Sequence, residues 1–149
     1  MRVAVIMGSS SDQKIADKVT EKLNYFGIEH EVRVISAHRA HNALVEYVTN
    51  TEAEIFIAIA GKAAHLAGVI AGLSIKPVIG IPAKSSTMDG LDSLLSTVQM
   101  PKGVPVATVA IDGGENAAIL ATQMLAIYDD ELKAKLQEFK LEQEKESVR

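Results

Sequence analysis

Apolar residues fall along the chain in two alternating patterns: short unbroken runs, and longer stretches where they return every three or four positions. Val3–Met7 is an unbroken run that stops at Gly8, as a strand buried on both faces does. Ile15, Val19 and Leu23 then recur at four-residue spacing, between Asp12, which can cap a helix, and Gly27, which can end one, so a helix is expected to about Phe26. Residues 30–35 alternate instead, with Val32 and Val34 inward and Glu31 and Arg33 outward, which predicts an edge strand. A helix over about 40–49 leads to a β-branched run at 55–60 and a small-residue helix over 63–73. Residues 77–82 and 106–111 read as the fourth and fifth strands, with a short helix ending near Gln99 between them. Residues 116–127 are helical by pattern, and a last helix starts near Asp129.

Repeated strand–helix units build a parallel sheet with right-handed crossovers and helices on both faces. In a chain of 149 residues they predict a single-domain α/β fold. Its expected form is a doubly wound, flavodoxin-like three-layer sandwich with a five-stranded parallel sheet and a C-terminal helix. Residues 1–128 make its catalytic part; residues 129–149, with seven acids and five bases, make a charged helix or tail of the same domain. Ligands of such folds bind beyond the carboxyl ends of the strands, so the segments after the first four strands hold the expected site. The helices at 63–73 and 116–127 are apolar on more faces than one sheet covers, which predicts a homo-oligomer.

Composition narrows the chemistry. With 48% hydrophobic and 23% charged residues the chain can bury a core. It has no cysteine, which excludes disulfides, thiolate metal sites and cysteine nucleophiles. A net charge of −4 and six aromatic residues without Trp argue against nucleic acid as a partner. The apolar stretch 55–75 is broken by Gly61-Lys62 into a strand and a helix, so no membrane span is expected. The first eight residues hold too short an apolar run for a signal peptide, and a cytoplasmic location is expected.

Gly8-Ser9-Ser10-Ser11-Asp12, after the first strand, offers backbone N–H groups, hydroxyls and the positive end of a helix dipole. It reads as an anion cradle or as a capped turn. Asp12 would repel a phosphate it faced and suits a cap or a ribose hydroxyl. Ser36-Ala37-His38-Arg39 follows the second strand. Arg39 is a fork for phosphate, and His38 is either a proton carrier near neutral pH or a hydrogen-bonded structural residue. After the third strand, Gly61-Lys62-Ala63-Ala64-His65-Leu66 sets a second histidine at the same sheet edge, among small residues that admit a ligand close to the backbone. His30 and His41 lack such company and read as surface residues. The polar segment 84–92 after the fourth strand reads as a lid or as a plain turn.

These segments, together with residues 90–101 (ending Val98-Gln99-Met100-Pro101) and 103–111, resemble the class I N5-carboxyaminoimidazole ribonucleotide mutases of purine biosynthesis, over nearly all of the chain before the tail. The resemblance implies a homo-octamer that moves a carboxylate from the exocyclic nitrogen of an imidazole ribonucleotide to ring carbon C4. It implies no cofactor, neither ATP nor metal, and a small-molecule ribonucleotide as the only partner besides other subunits. Ser9, Ser11 and Arg39 would then hold the ribose phosphate and Asp12 the ribose hydroxyls. His38 would be the acid and base and His65 would line the carboxylate pocket, with Gly8, Ser36, Gly61, Lys62 and Leu66 also against the substrate. One proton carrier and a closed, water-poor cavity suffice for such a migration. Lys62 stands where the family usually has glycine, Ala67 where it has proline, and Ala40-His41 where it has Thr-Pro. If the glycine position needs a positive φ, a lysine there costs about 1 kcal/mol.

Three other readings weigh less. A phospho-receiver would want an acid at the end of the third strand, where Ala60-Gly61 stand, and a flavin carrier would want aromatics at the strand ends. The nearest alternative is a class II aminoimidazole ribonucleotide carboxylase that takes free CO2; the segments 63–66 and 98–101 favour class I.

Overall fold

The computed structural model describes residues 2–148, and in it the alternating pattern becomes five strands and six helices. β1 (Val3–Met7), β2 (His30–Val34), β3 (Ile55–Gly61), β4 (Val78–Ala83) and β5 (Ala107–Thr108) form one parallel sheet in the order β2-β1-β3-β4-β5. The helices are α1 (Gln13–Phe26), α2 (His41–Asn50), α3 (Leu66–Leu73), α4 (Leu91–Val98), α5 (Gly114–Leu125) and α6 (Asp130–Ser147). From β1 the chain builds the sheet outward in one direction to β2 and then in the other to β3, β4 and β5. The strand order therefore reverses between β1 and β3, where a doubly wound sheet opens a crevice.

Alternate residues of the central strands feed two cores. Val3, Val5 and Met7, with Ile55, Ile57 and Ile59, pack into the cluster that holds Val19 and Leu23 of α1, Ala117 of α5 and Phe139 of α6. Ala4 and Ile6, with Phe56 and Ala58, pack against Leu44 of α2 and Ile70 of α3. Burial on both faces is why these strands read as unbroken apolar runs. On the second face a Cβ at Gly80 would collide with the Thr97 methyl and lie 2.9 Å from Val106, so α4 rests directly on the β4 backbone. The buried Ser93 hydroxyl fixes it there by donating to the Ala83 carbonyl at 2.7 Å.

Several local expectations change. Residues 106–111 supply only a two-residue β5: Val109 N–H still reaches Gly80 at 3.1 Å, but the turn closed by Gly113 N–H on Ala110, with Asp112 at φ 57, carries the chain off the ladder. Val34 keeps the face of Val32 but is 53% exposed, because it ends the strand at the sheet edge. Asp12 stands at the start of α1 without capping it; residues 10–12 form a 3-10 turn, and the Ser9 hydroxyl accepts from Ser11 N–H at 3.2 Å instead. Gly27 ends α1 in the left-handed conformation at φ 72, as expected.

Helix α3 begins at Leu66 rather than 63. Lys62 at φ 54, and tight turns from Ala64 N–H to Lys62 and from His65 N–H to Ala63, delay it. The apolar excess of the predicted 116–127 helix is covered only in part: Ile119, Leu120 and Met124 pack, half-buried, against the cluster that includes Leu132 and Phe139 of α6, and Ile127 is 69% exposed. Exposed apolar residues stand on α4 as well, at Leu91, Leu95 and Val98. The charged C-terminal segment is thus docked by two buried residues, and Asp129 caps α6 through Leu132 N–H while pairing with Arg2 at 2.7 Å. Among the described residues no helix is long and apolar enough to cross a membrane.

Candidate functional site

A cleft of about 580 Å³ opens at the carboxyl ends of β1 to β4, beside the reversal of strand order. Gly8, Ser9, Ser11, Asp12, Ser36, His38, Arg39, Gly61, Lys62, His65 and Leu66 all line it, so the residues singled out from three separate segments meet in one place. His30 and His41 lie outside; His30 shares a hydrogen bond between Nδ1 and the Ile28 carbonyl at 2.8 Å.

At the β1–β2 end the polar groups are held by one another. The Ser11 hydroxyl and the Ser9 hydroxyl lie 3.0 Å apart, and Arg39 donates from Nε to the Ser36 hydroxyl at 3.3 Å and from Nη2 to the Gly8 carbonyl at 3.4 Å. The guanidinium is thereby laid across the cradle with donors to spare. Burial pushes the Asp12 carboxyl above its ordinary range; the Ser11 hydroxyl opposes this, and Asp112 adds to it by like-charge repulsion.

A pair of imidazoles joins the two ends, His38 following β2 and His65 following β3. His38 Nε2 lies 3.0 Å from His65 Nδ1, with the rings edge to face at 85°. Two neutral rings in this contact share one inner proton. If His38 carries it, His38 Nδ1 is a bare lone pair and His65 Nε2 carries a proton; if His65 carries it, both outer roles reverse. Each neutral arrangement therefore offers one outward proton and one outward lone pair. The couple can give a proton at one nitrogen and take one at the other without changing charge.

The β3–β4 end is less settled. Lys62, Met88, Asp89 and Asp112 are the non-glycine residues at positive φ among those described, and each follows a strand whose carboxyl end borders or neighbours the cleft. A left-handed L residue costs roughly 1–2 kcal/mol, so the lysine-for-glycine departure at position 62 does fall on a strained backbone. Lys84, Ser85 and Ser86 also line the cleft and were not singled out as site residues from the sequence. The strand-end rule applied to the polar stretch after β4 could have found them. Lys84 is set by its backbone N–H, which donates to the Asp112 carboxylate at 2.8 Å, a contact between distant segments that no local pattern announces.

Three cations (Arg39, Lys62 and Lys84) and one carboxylate (Asp12) line the cleft of a chain whose net charge is −4. This local reversal of sign favours a ligand with more than one anionic group. Among the described residues no three His, Asp or Glu side chains gather as ligands for a metal ion.

A family model described as AIR carboxylase matches residues 2–146. The chain is 56% identical, over 93% of its length and 87% of the relative's, to the N5-carboxyaminoimidazole ribonucleotide mutase of Methanocaldococcus jannaschii. It is 50% identical to the mutase of Thermotoga maritima, over 93% of this chain and 83% of that one. The crystal structure of Treponema denticola PurE superposes with a TM-score of 0.89 at 31% identity, covering 98% of this chain and 93% of that one.

Proposed function

The chain belongs to the AIR carboxylase family, and from that premise we infer that it moves the carboxylate of N5-carboxyaminoimidazole ribonucleotide to ring carbon C4 in purine biosynthesis. The observation that carries the reading is the histidine couple, 3.0 Å between ring nitrogens, standing beside a cradle of Ser9, Ser11 and Arg39. Relatives at 50–56% identity named as mutases support it.

The ribose phosphate sits on Ser9, Ser11 and Arg39, whose donors suit three anionic oxygens. Asp12 takes the ribose hydroxyls, with Gly8, Ser36, Gly61 and Leu66 forming the walls. The N-carboxylate leaves as CO2 while His38 gives a proton to the departing nitrogen, which becomes the free amine. The enamine-like C4 then attacks the trapped CO2, forming the new carbon–carbon bond and leaving an iminium at C5. His38, having given up that proton, takes the one from C4 and restores the ring. One proton is given and one taken, so no external acid, metal or ATP is required. His65 holds the other face of His38 and lines the carboxylate pocket. Exclusion of water keeps CO2 from escaping as bicarbonate.

The same reading makes residues 1–128 the catalytic part with 129–149 as its bracing helix, and the working form a cytoplasmic homo-octamer. The exposed Leu91, Leu95 and Val98, one face of α4, support association. Substrate choice tests the function. The purified protein, without ATP or metal, is expected to isomerise the N-carboxylated nucleotide with little uptake of labelled bicarbonate. Efficient carboxylation of aminoimidazole ribonucleotide by free CO2, with the N-carboxylated nucleotide ignored, would make it a class II carboxylase instead.

A further inference from the structure

Lys62 differs from the other two cations of the cleft. Arg39 donates to Gly8 and Ser36, and Lys84 Nζ lies 3.7 Å from Asp89, but the Lys62 ammonium has no hydrogen bond or ion pair among the described residues. Its backbone is held at φ 54, where glycine rests easily and an L side chain does not. The residue is exposed and joins neither core, so packing does not repay the strain. Strain held at a ligand cleft without structural return marks a position kept for binding.

Its place in the cleft says which group it meets. Lys62 shares a tight turn with His65: Ala64 N–H donates to the Lys62 carbonyl at 2.8 Å, and His65 N–H to Ala63 at 2.9 Å. Ser9 and Arg39 follow β1 and β2, whereas Lys62 follows β3, on the far side of the reversal in strand order. A cation thus accompanies each ring: Arg39 follows β2 with His38, and Lys62 follows β3 with His65. A substrate with a phosphate at one end and a carboxylate at the other matches that spacing of charge.

We propose that Lys62 binds the migrating carboxylate and adds affinity for carboxylated nucleotides beyond what a glycine at this position supplies; this rests on the mutase reading above. The group is anionic on nitrogen and again on C4, and neutral as CO2 between them. An ammonium there favours both end states, and acts on affinity more than on proton transfer.

Binding of two ligands to the whole protein tests this by calorimetry: 4-carboxy-5-aminoimidazole ribonucleotide, and aminoimidazole ribonucleotide, which keeps the phosphate and lacks the carboxylate. Lys62→Ala and Lys62→Gly are expected to weaken the carboxylated ligand about tenfold and the other by less than about twofold. Lys62→Arg retains both. Lys62→Gly relieves the φ strain and is expected to melt a few degrees above Lys62→Ala, so a loss shared by the two is not misfolding. Equal weakening of both ligands would put the ammonium on the phosphate and overturn the proposal. Unchanged affinity for the carboxylated ligand in both variants would overturn it too. A wild-type protein that binds neither nucleotide refutes the mutase reading itself.

Discussion

At the β1–β2 end of the cleft the functional groups already satisfy one another: Ser9 with Ser11, Arg39 with Ser36 and Gly8. At the β3–β4 end the Lys62 ammonium has no partner among the described residues, and Lys62, Met88 and Asp89 hold left-handed backbones. The difference follows the chemistry. A phosphate that stays whole throughout a reaction is best met by groups fixed beforehand, because little ordering remains to be done on binding. A carboxylate that leaves one atom and joins another needs a pocket that tolerates two positions.

Substitutions at the two ends should therefore fail differently. The largest effect is expected between them, at the histidine couple: His38→Asn keeps a hydrogen-bonding group but carries no proton, and kcat should fall by roughly 10²–10⁴. Nucleotide affinity should stay close to that of the wild type in the same measurement. If His65→Asn lost turnover while His38→Asn kept it, the two rings would have to exchange roles. Next in size is Arg39→Ala at the preorganised end. Losing charge-assisted bonds to phosphate should raise KM about ten- to hundredfold, with a smaller change in kcat. A fall in kcat as large as that of His38→Asn would dissolve the distinction between a binding end and a reacting end.

The smallest effect concerns Asp12, whose carboxyl is pushed up by burial, and further by Asp112 against the opposing Ser11 hydroxyl. Because its folded-state pKa lies above the ordinary 3.8, ionisation is disfavoured in the folded chain. Stability from this group is complete below the ordinary value and is lost as pH rises through the raised one. Asp12→Asn should therefore melt slightly higher than the wild type at neutral pH, with the gain vanishing in acid, while ribonucleotide binding weakens. A lower melting temperature at neutral pH would mean that Asp12 stabilises the turn rather than serving the ligand.

Much of this architecture is legible in the residue pattern because a parallel sheet buries both faces of its inner strands. Val3–Met7 and the run through Ile59 can hardly be anything else. The edges are less legible. β5 pairs through only two residues, and Val34 sits where nothing covers it, although its alternation with Val32 is intact. The strand-end rule points to Ser9, His38 and His65 one segment at a time, and all three line one cleft. What local pattern leaves out is contact between segments. The Asp112 carboxylate holding Lys84 N–H across 28 residues is one case, and the donation from His38 to His65 or back is another.

The place of β1 in the sheet also bears on how the molecule comes into being. β1, synthesised before the other strands of this sheet, lies inside it, hydrogen-bonded to β2 on one edge and β3 on the other. At about 5–20 residues per second, the nascent chain carries Val3–Met7 with an open edge until residues 55–61 emerge. During that interval its backbone is a template for any passing strand. The cleft inherits the same timetable, since His38 meets His65 only after β3 has docked. A fragment that stops short of β3 has the serine cradle and Arg39 but no second ring, and a ligand that needs both reports that the central sheet is complete.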